Sequence, residues 1–381
     1  KRKGERTSKK VVKPEITPVS VNRDSRSPFL ASIVDAEPPR LQPRFLNYDE
    51  DIQKSSLNNG INLHYVRNRE NTLFTQYYLL DIGSQQDREL AFAIQYLPLL
   101  GTDEYTAEEL AKMFYELGVS FDVSAGGQQS YVTLTGINAN YEQGVKLFEH
   151  VLANAKPDEA ALSALVQNTL KQRENAKANK ALILRRGMAQ YGMYGAQNPF
   201  NSVLSKEQLK GMKASELTDR IHQLTSYPHR VLYYGPAPVE TVQSTLNAEH
   251  KVPDEMMTAP ADPGYDMVAA KKNKVYFVHY DDMVQAEVLW LSRGIDYDQA
   301  LTDPVNMFNE NYGCGLSSIV FQTIRESKAL AYSTNAYFGT PREKEDPFFI
   351  QAYVGTQADK LQDAMDGMFE LLTELPESEN M

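Results

Sequence analysis

The sequence predicts an α+β protein built from two repeated α/β sandwich units, each a mainly antiparallel sheet with helices on one face. Three observations carry this expectation. Short stretches of period-two alternation, the mark of half-buried strands, are interleaved with stretches in which apolar residues recur every three or four positions, the mark of amphipathic helices. Hydrophobic residues make up 42% and aromatics 10% of the 381 residues, so a sizeable core can form. Three stretches of the first part also recur in the same order in the second. Residues 117–125 (LGVSFDVSA) match 330–338 (LAYSTNAYF), 131–137 (YVTLTGI) match 348–354 (FFIQAYV), and 144–152 (GVKLFEHVL) match 365–373 (MDGMFELLT). Such self-similarity points to an internal duplication.

Taken in order, residues 1–44 hold six prolines and little periodicity and read as an extended linker. A first unit, 45–240, opens with strands at 61–66 and 72–82, followed by a helix at 87–97. Thr106 and Glu109 form a capping box, and Leu110, Met113, Phe114 and Leu117 line one helical face. Gly118 stops that helix. Alternation over 119–125, the Gly126–Gly127 turn and the return at 131–137 predict an antiparallel hairpin. Helices at 141–153, 158–191 and 215–224 and a strand at 230–235 complete the unit. A second linker, 241–270, follows. The second unit, 271–381, has expected strands at 275–280, 285–294, 330–338 and 347–355 and helices at 303–312, 318–327 and 357–375. It lacks counterparts of the long helix and closing strand of the first, so it is expected to be truncated at its C-terminal end. The chain starts with Lys1, as a piece of a longer protein would.

The net charge is −11. Residues 1–13 carry +6, which leaves −17 for the remainder. An acidic body argues against nucleic acid as a partner, because phosphate contacts need clustered cations. The basic start reads as a solvated linker. One cysteine, Cys314, excludes an internal disulfide and a cysteine-rich zinc site. No apolar run of about 18 residues predicts a transmembrane helix, and no signal peptide is visible. These features fit a soluble protein of either the periplasm or the cytoplasm.

The six histidines, His64, His150, His222, His229, His250 and His279, show no metal-ligand spacing and read as structural or surface residues. There is no glycine-rich phosphate loop and no nucleophile elbow. The stretch 313–333, GCGLSSIVFQTIRESKALAYS, is more specific. Its pattern of Gly313, Ser317, Phe321, Arg325-Glu326 and Leu330-Ala-Tyr332 resembles the second domain of halves of M16 zinc metallopeptidases, the pitrilysin/insulinase-like and processing-peptidase-like family. The resemblance runs from about residue 45 onward and implies a duplicated α+β unit, of the LuxS/metallohydrolase-like kind, in each of two halves that close around a peptide.

The resemblance also implies roles. Arg325 and Tyr332, seven residues apart, would come from the half without the metal, bind the peptide and steady its charged tetrahedral intermediate. A guanidinium fork and a phenol can both donate to a developing oxyanion. Gly313, Gly315 and Ser317 are candidates for a substrate loop. Spacing alone favours a surface arginine and a core tyrosine; the surrounding segment and the duplication reverse that preference. The family's His-x-x-Glu-His motif lies shortly before a Gly-Thr pair, here Gly101-Thr102; at its place stand Phe92, Gln95 and Tyr96. Neither an amide nor an aromatic ring can act as the general base or imidazole ligands. No cofactor is therefore expected in this chain, and zinc is expected in a partner catalytic half, upstream on the same polypeptide or on a separate subunit. This chain alone should hydrolyse nothing. A non-enzymatic scaffold or a peptide-binding subunit of a larger assembly is the alternative, since fold does not fix function.

Overall fold

The computed structural model describes residues 26–40, 42–43, 45–280, 284–341 and 343–374. The basic run at 1–13 lies outside these residues. The chain divides into two units, Lys1–Tyr48 and Asp49–Met381. In the first, within the stretch expected to be extended, helix α1 (Pro28–Val34) is capped by the Ser27 hydroxyl, which accepts from the Leu30 amide, and buries none of its residues.

The second unit contains two sheets. The larger has six strands: β1 (Gln53–Ser56), β2 (Asn62–Arg67), β3 (Leu73–Leu80), β4 (Val119–Ala125), β5 (Ser130–Ile137) and β6 (His229–Gly235). Their spatial order is β1-β2-β6-β3-β5-β4. The sheet is mixed, because β2 and β6 run parallel while the other neighbours are antiparallel. Alternation assigns the faces. On β3, Phe74, Tyr78 and Leu80 are buried in the core, while Thr75, Tyr77 and Leu79 point the other way and stay half-buried.

Helices α2 (Arg88–Tyr96), α3 (Ala107–Leu117), α4 (Tyr141–Asn154), α5 (Glu159–Ala176) and others contribute to the same core. The α3 capping box forms as expected, with Thr106 and Glu109 each satisfying the other's backbone amide, and Gly118 ends the helix in the left-handed region at φ 61°. The long helix expected over 158–191 is broken. It stops at Ala176, and the Asn179 side chain caps a new start by accepting from the Leu182 amide. The second piece comprises α6 (Lys180–Leu182), a π-helical stretch (Ile183–Met188) and α7 (Ala189–Tyr194). It turns onto the smaller sheet, where Lys180 pairs with Glu287 at 2.8 Å and the Arg185 guanidinium lies 4.5 Å from the Tyr353 ring. Short α8 (Lys206–Gly211) and α9 (Ala214–His222) follow. The linker expected at 241–270 begins with helix α10 (Val239–Glu249), whose Val242 and Leu246 are fully buried in the first core.

The smaller sheet has β7 (Gln285–Arg293), β8 (Ser333–Gly339) and β9 (Phe349–Gln357) in the order β7-β9-β8. They are ordered and paired as β3, β5 and β4 are in the larger sheet. The partner registers, Val123↔Val132 and Ala336↔Ala352, show that the second hairpin's return strand enters several residues later than the 131–137/348–354 match placed it. Helices α11 (Thr302–Tyr312) and α12 (Leu361–Thr373) and the π-helical segment Phe321–Ser327 cover one face, around Ile324, Ala336, Val354 and Met368. The stretch 275–280, expected as a strand, belongs to neither sheet. In the larger sheet the corresponding strand β2 is held by β6, and no described strand takes that place here.

A buried polar cluster ties the larger sheet to its helices. The Tyr78 hydroxyl donates to Glu149 at 2.7 Å, and Nδ1 of His250 lies 2.9 Å from the same carboxylate oxygen. Nε2 of His250 meets Nε2 of His229 at 2.8 Å, and Nδ1 of His229 meets the Tyr227 carbonyl at 2.7 Å. A carbonyl only accepts, so His229 donates from Nδ1, and a neutral His229 then accepts at Nε2 from His250. Burial, with His250 alongside, lowers the His229 pKa to about 4. Between pH 4 and the ordinary value of 6.5, the unfolded chain holds a proton at His229 that the folded chain refuses. Stability contributed by this site is therefore complete above pH 6.5 and falls as pH drops through that window, at up to about 1.4 kcal/mol per pH unit. Urea unfolding at pH 7 and pH 5 should show a loss that His229→Gln reduces; an equal loss in the variant would assign it to other groups.

Candidate functional site

Arg325 and Tyr332 come together beside the smaller sheet. The Arg325 guanidinium carbon lies 4.9 Å from the centre of the Tyr332 ring and 4.7 Å from that of Phe321, one turn earlier. Tyr332 is 74% exposed, so its hydroxyl faces solvent rather than a core. The arginine side chain is 34% exposed and its Nε meets the adjacent Glu326 carboxylate at 3.5 Å, a weak surface pair. Among the described residues no other carboxylate pairs with it. Its in-plane N–H groups are thus available to an acceptor while its faces rest on aromatic rings.

The backbone that delivers this pair is unusual. Phe321–Ser327 is wound as a π-helix, a geometry frequent at functional sites. Ala329 follows at φ 48°, the single non-glycine residue with positive φ among the described residues. A side chain there costs about 1–2 kcal/mol. The turn is held from outside: Thr356 donates to the Leu330 carbonyl, Lys360 donates to the Ala329 carbonyl at 3.0 Å, and Lys328 pairs with Glu370 on α12. Such strain persists where surrounding contacts over-determine it.

The loop before the π-helix contains the other sequence candidates. A Cβ on Gly313 would sit 1.6 Å from the Ala336 carbonyl oxygen, so this glycine lets the chain cross β8 backbone to backbone. Gly315 adopts φ 85° with open space around it, and Ser317 is exposed. Ser318, which sequence reading passed over, is the buried member: its hydroxyl donates to the Gly315 carbonyl and accepts from the Phe321 amide. Asn309 was also missed. From α11 its side chain donates to the Phe338 carbonyl at 2.8 Å and accepts from the Phe338 amide at 2.7 Å. This seals the outer edge of β8 at Phe338. No sequence signal marks such a contact, because it joins residues 29 positions apart.

Phe92, Gln95 and Tyr96 lie elsewhere, on α2 under the larger sheet. Phe92 and Tyr96 are buried in the core and Gln95 points to solvent. The Tyr96 hydroxyl donates to the Asp158 carbonyl at 2.6 Å and accepts from the Asp158 amide at 2.9 Å, binding α2 to the start of α5. This set offers no imidazole and no carboxylate, and its one hydroxyl is committed to backbone, so it does not fit a zinc ion. Among the described residues no group of three or more His, Cys, Asp or Glu side chains is placed to hold a metal, and no described helix is long and apolar enough to cross a membrane.

The site therefore consists of an arginine–tyrosine pair at a helix-to-strand turn of an α+β unit, with no metal-holding group among the described residues. Residues 234–379 match the profile of the Peptidase M16 inactive domain. No curated protein matches the sequence. Among solved structures, the chain is similar to a peptidase M16 inactive domain from Pseudomonas fluorescens, with a TM-score of 0.68, 19% identity and coverage of 86% of this chain and 80% of that one. It is similar to a protease from Helicobacter pylori, with a TM-score of 0.66, 16% identity and coverage of 86% and 81%. It also resembles the periplasmic protease PqqL from Escherichia coli, with a TM-score of 0.67 and 14% identity; 93% of this chain is covered but only 42% of PqqL. At these identities the likeness is one of fold.

Two substitutions test the local account. Gly313→Ala forces the crossing apart and should destabilise the fold by about 1–3 kcal/mol or more; an unchanged melting temperature would contradict it. Tyr96→Phe removes both hydrogen bonds at the start of α5 and should cost about 1–3 kcal/mol, read by denaturant unfolding.

Proposed function

We propose that this chain is the non-catalytic half, or part of it, of an M16-type metalloendopeptidase. Its two sheets are repeated domains that form part of the wall of a substrate chamber. Arg325 and Tyr332 are its contribution to the chemistry, and a partner half, on the same polypeptide or separate, supplies the zinc. The observation that carries this reading is the stack itself: a guanidinium flanked by aromatic rings, with an exposed phenol next to it and its donor edge unclaimed by a strong ion pair.

The chemistry follows from the donors. Each group can hydrogen-bond a peptide carbonyl in the ground state and do so more strongly as that oxygen gains charge, which lowers the barrier rather than only the binding constant. An extended peptide satisfies its backbone by pairing with a strand edge. At β8 that edge is blocked at Phe338 by Asn309, so the open part is the end next to Tyr332.

In an enzyme that includes the catalytic half, Arg325→Ala and Tyr332→Phe should each lower kcat/KM by about 100-fold, the scale of losing one oxyanion donor. The isolated chain should cleave nothing. Unaltered turnover in both variants would leave a scaffold role in place of the assignment.

A further inference from the structure

We infer that Phe321 is a positioning residue for Arg325: its ring fixes the plane of the guanidinium so that the N–H edge, together with Tyr332, faces a bound peptide. This rests on the reading of Arg325 and Tyr332 as the peptide-binding pair.

The argument starts from the arginine. An exposed arginine carries much rotamer freedom, which a donor must lose before it can hold a ligand in one geometry. Here two rings restrict it. Phe321 lies four residues before Arg325 on the same π-helical segment, and its ring centre is 4.7 Å from the guanidinium carbon. Tyr332 lies on the far side of the turn, at 4.9 Å. The two rings have different duties. Tyr332 is largely exposed and has a hydroxyl of its own to offer. Phe321 is half-buried and has no polar atom, so its use to a ligand lies in what it does to the arginine.

Phe321 is itself held. Its amide donates to the Ser318 hydroxyl, and that serine is fully buried and anchored on the Gly315 carbonyl. The next residue, Gln322, donates to the Leu316 carbonyl at 2.6 Å. The glycine loop therefore acts on the site at one remove: it sets the start of the π-helix, the π-helix sets Phe321, and Phe321 sets Arg325. Glu326, the nearest competing partner, reaches only Nε at 3.5 Å and leaves the two terminal nitrogens free.

The test uses the full chain and a fluorescein-labelled, unstructured 20-residue peptide as probe, with binding read by fluorescence anisotropy. Phe321→Leu should weaken binding about 2- to 5-fold, the range expected from losing one exposed cation–π contact. Phe321→Tyr, which keeps the ring, should bind as the parent does. In the Arg325→Ala background, Phe321→Leu should have no further effect, because its influence passes through the arginine. Circular dichroism melts of each variant separate folding from positioning. If Arg325→Ala itself leaves binding intact, the proposed peptide-binding function fails. If Arg325→Ala weakens binding while Phe321→Leu does not, or if the two losses add, the pair stands and the positioning role of Phe321 is overturned.

Discussion

The arrangement at the smaller sheet depends on one close crossing. Where the chain leaves α11, the backbone at Gly313 passes over that of Ala336 with no room for a Cβ between them. That contact fixes how far the following loop lies from β8. From there Ser318 starts the next helical segment, and the strained turn at Ala329 returns the chain into the same strand. Arg325 and Tyr332 lie on the two arms of this excursion, so their spacing is set by a loop whose two ends are pinned to one strand. A looser crossing would leave the same residues in the sequence without bringing a guanidinium onto a phenol.

The larger sheet is stabilised in a different way. There helix α2 serves as a structural element. Phe92 adds apolar surface to the core, and Tyr96 uses its hydroxyl to bridge to α5. The Tyr78–Glu149–His250–His229 chain then joins β3, α4, the end of α10 and β6 across the core. A fully satisfied polar network of this kind specifies one packing of its elements, since any slippage strands a buried charge or donor. His229 and His250, which the sequence offers as structural or surface residues, thus contribute architecture here.

Much of the fold was legible in the residues. The capping box at Thr106, the left-handed stop at Gly118 and the alternation of the two hairpins are local signals, and local signals survive folding because the interactions behind them span a few residues. The failures have a common cause in partners far away in sequence. The run at 275–280 has the composition of a strand but joins neither sheet. The helix expected over 158–191 has helical composition throughout, yet it breaks at Asn179 because its second part is drawn to Glu287 and Tyr353 on the smaller sheet. Periodicity cannot report either effect.

By itself, then, the sequence determined the α+β class, the pairing of hairpins, the absence of imidazole and carboxylate at Phe92, Gln95 and Tyr96, and the candidacy of Arg325 and Tyr332. Only the tertiary structure decided that the arginine is flanked by Phe321 and Tyr332, that Gly313 is required by a backbone crossing, that Asn309 closes the edge of β8, and that His229 and His250 share a buried network with Glu149. The physical reason is range. Helix periods, caps and turns are encoded within a few residues, whereas stacking, edge sealing and buried hydrogen bonds join positions that only the folded chain brings within a few ångströms.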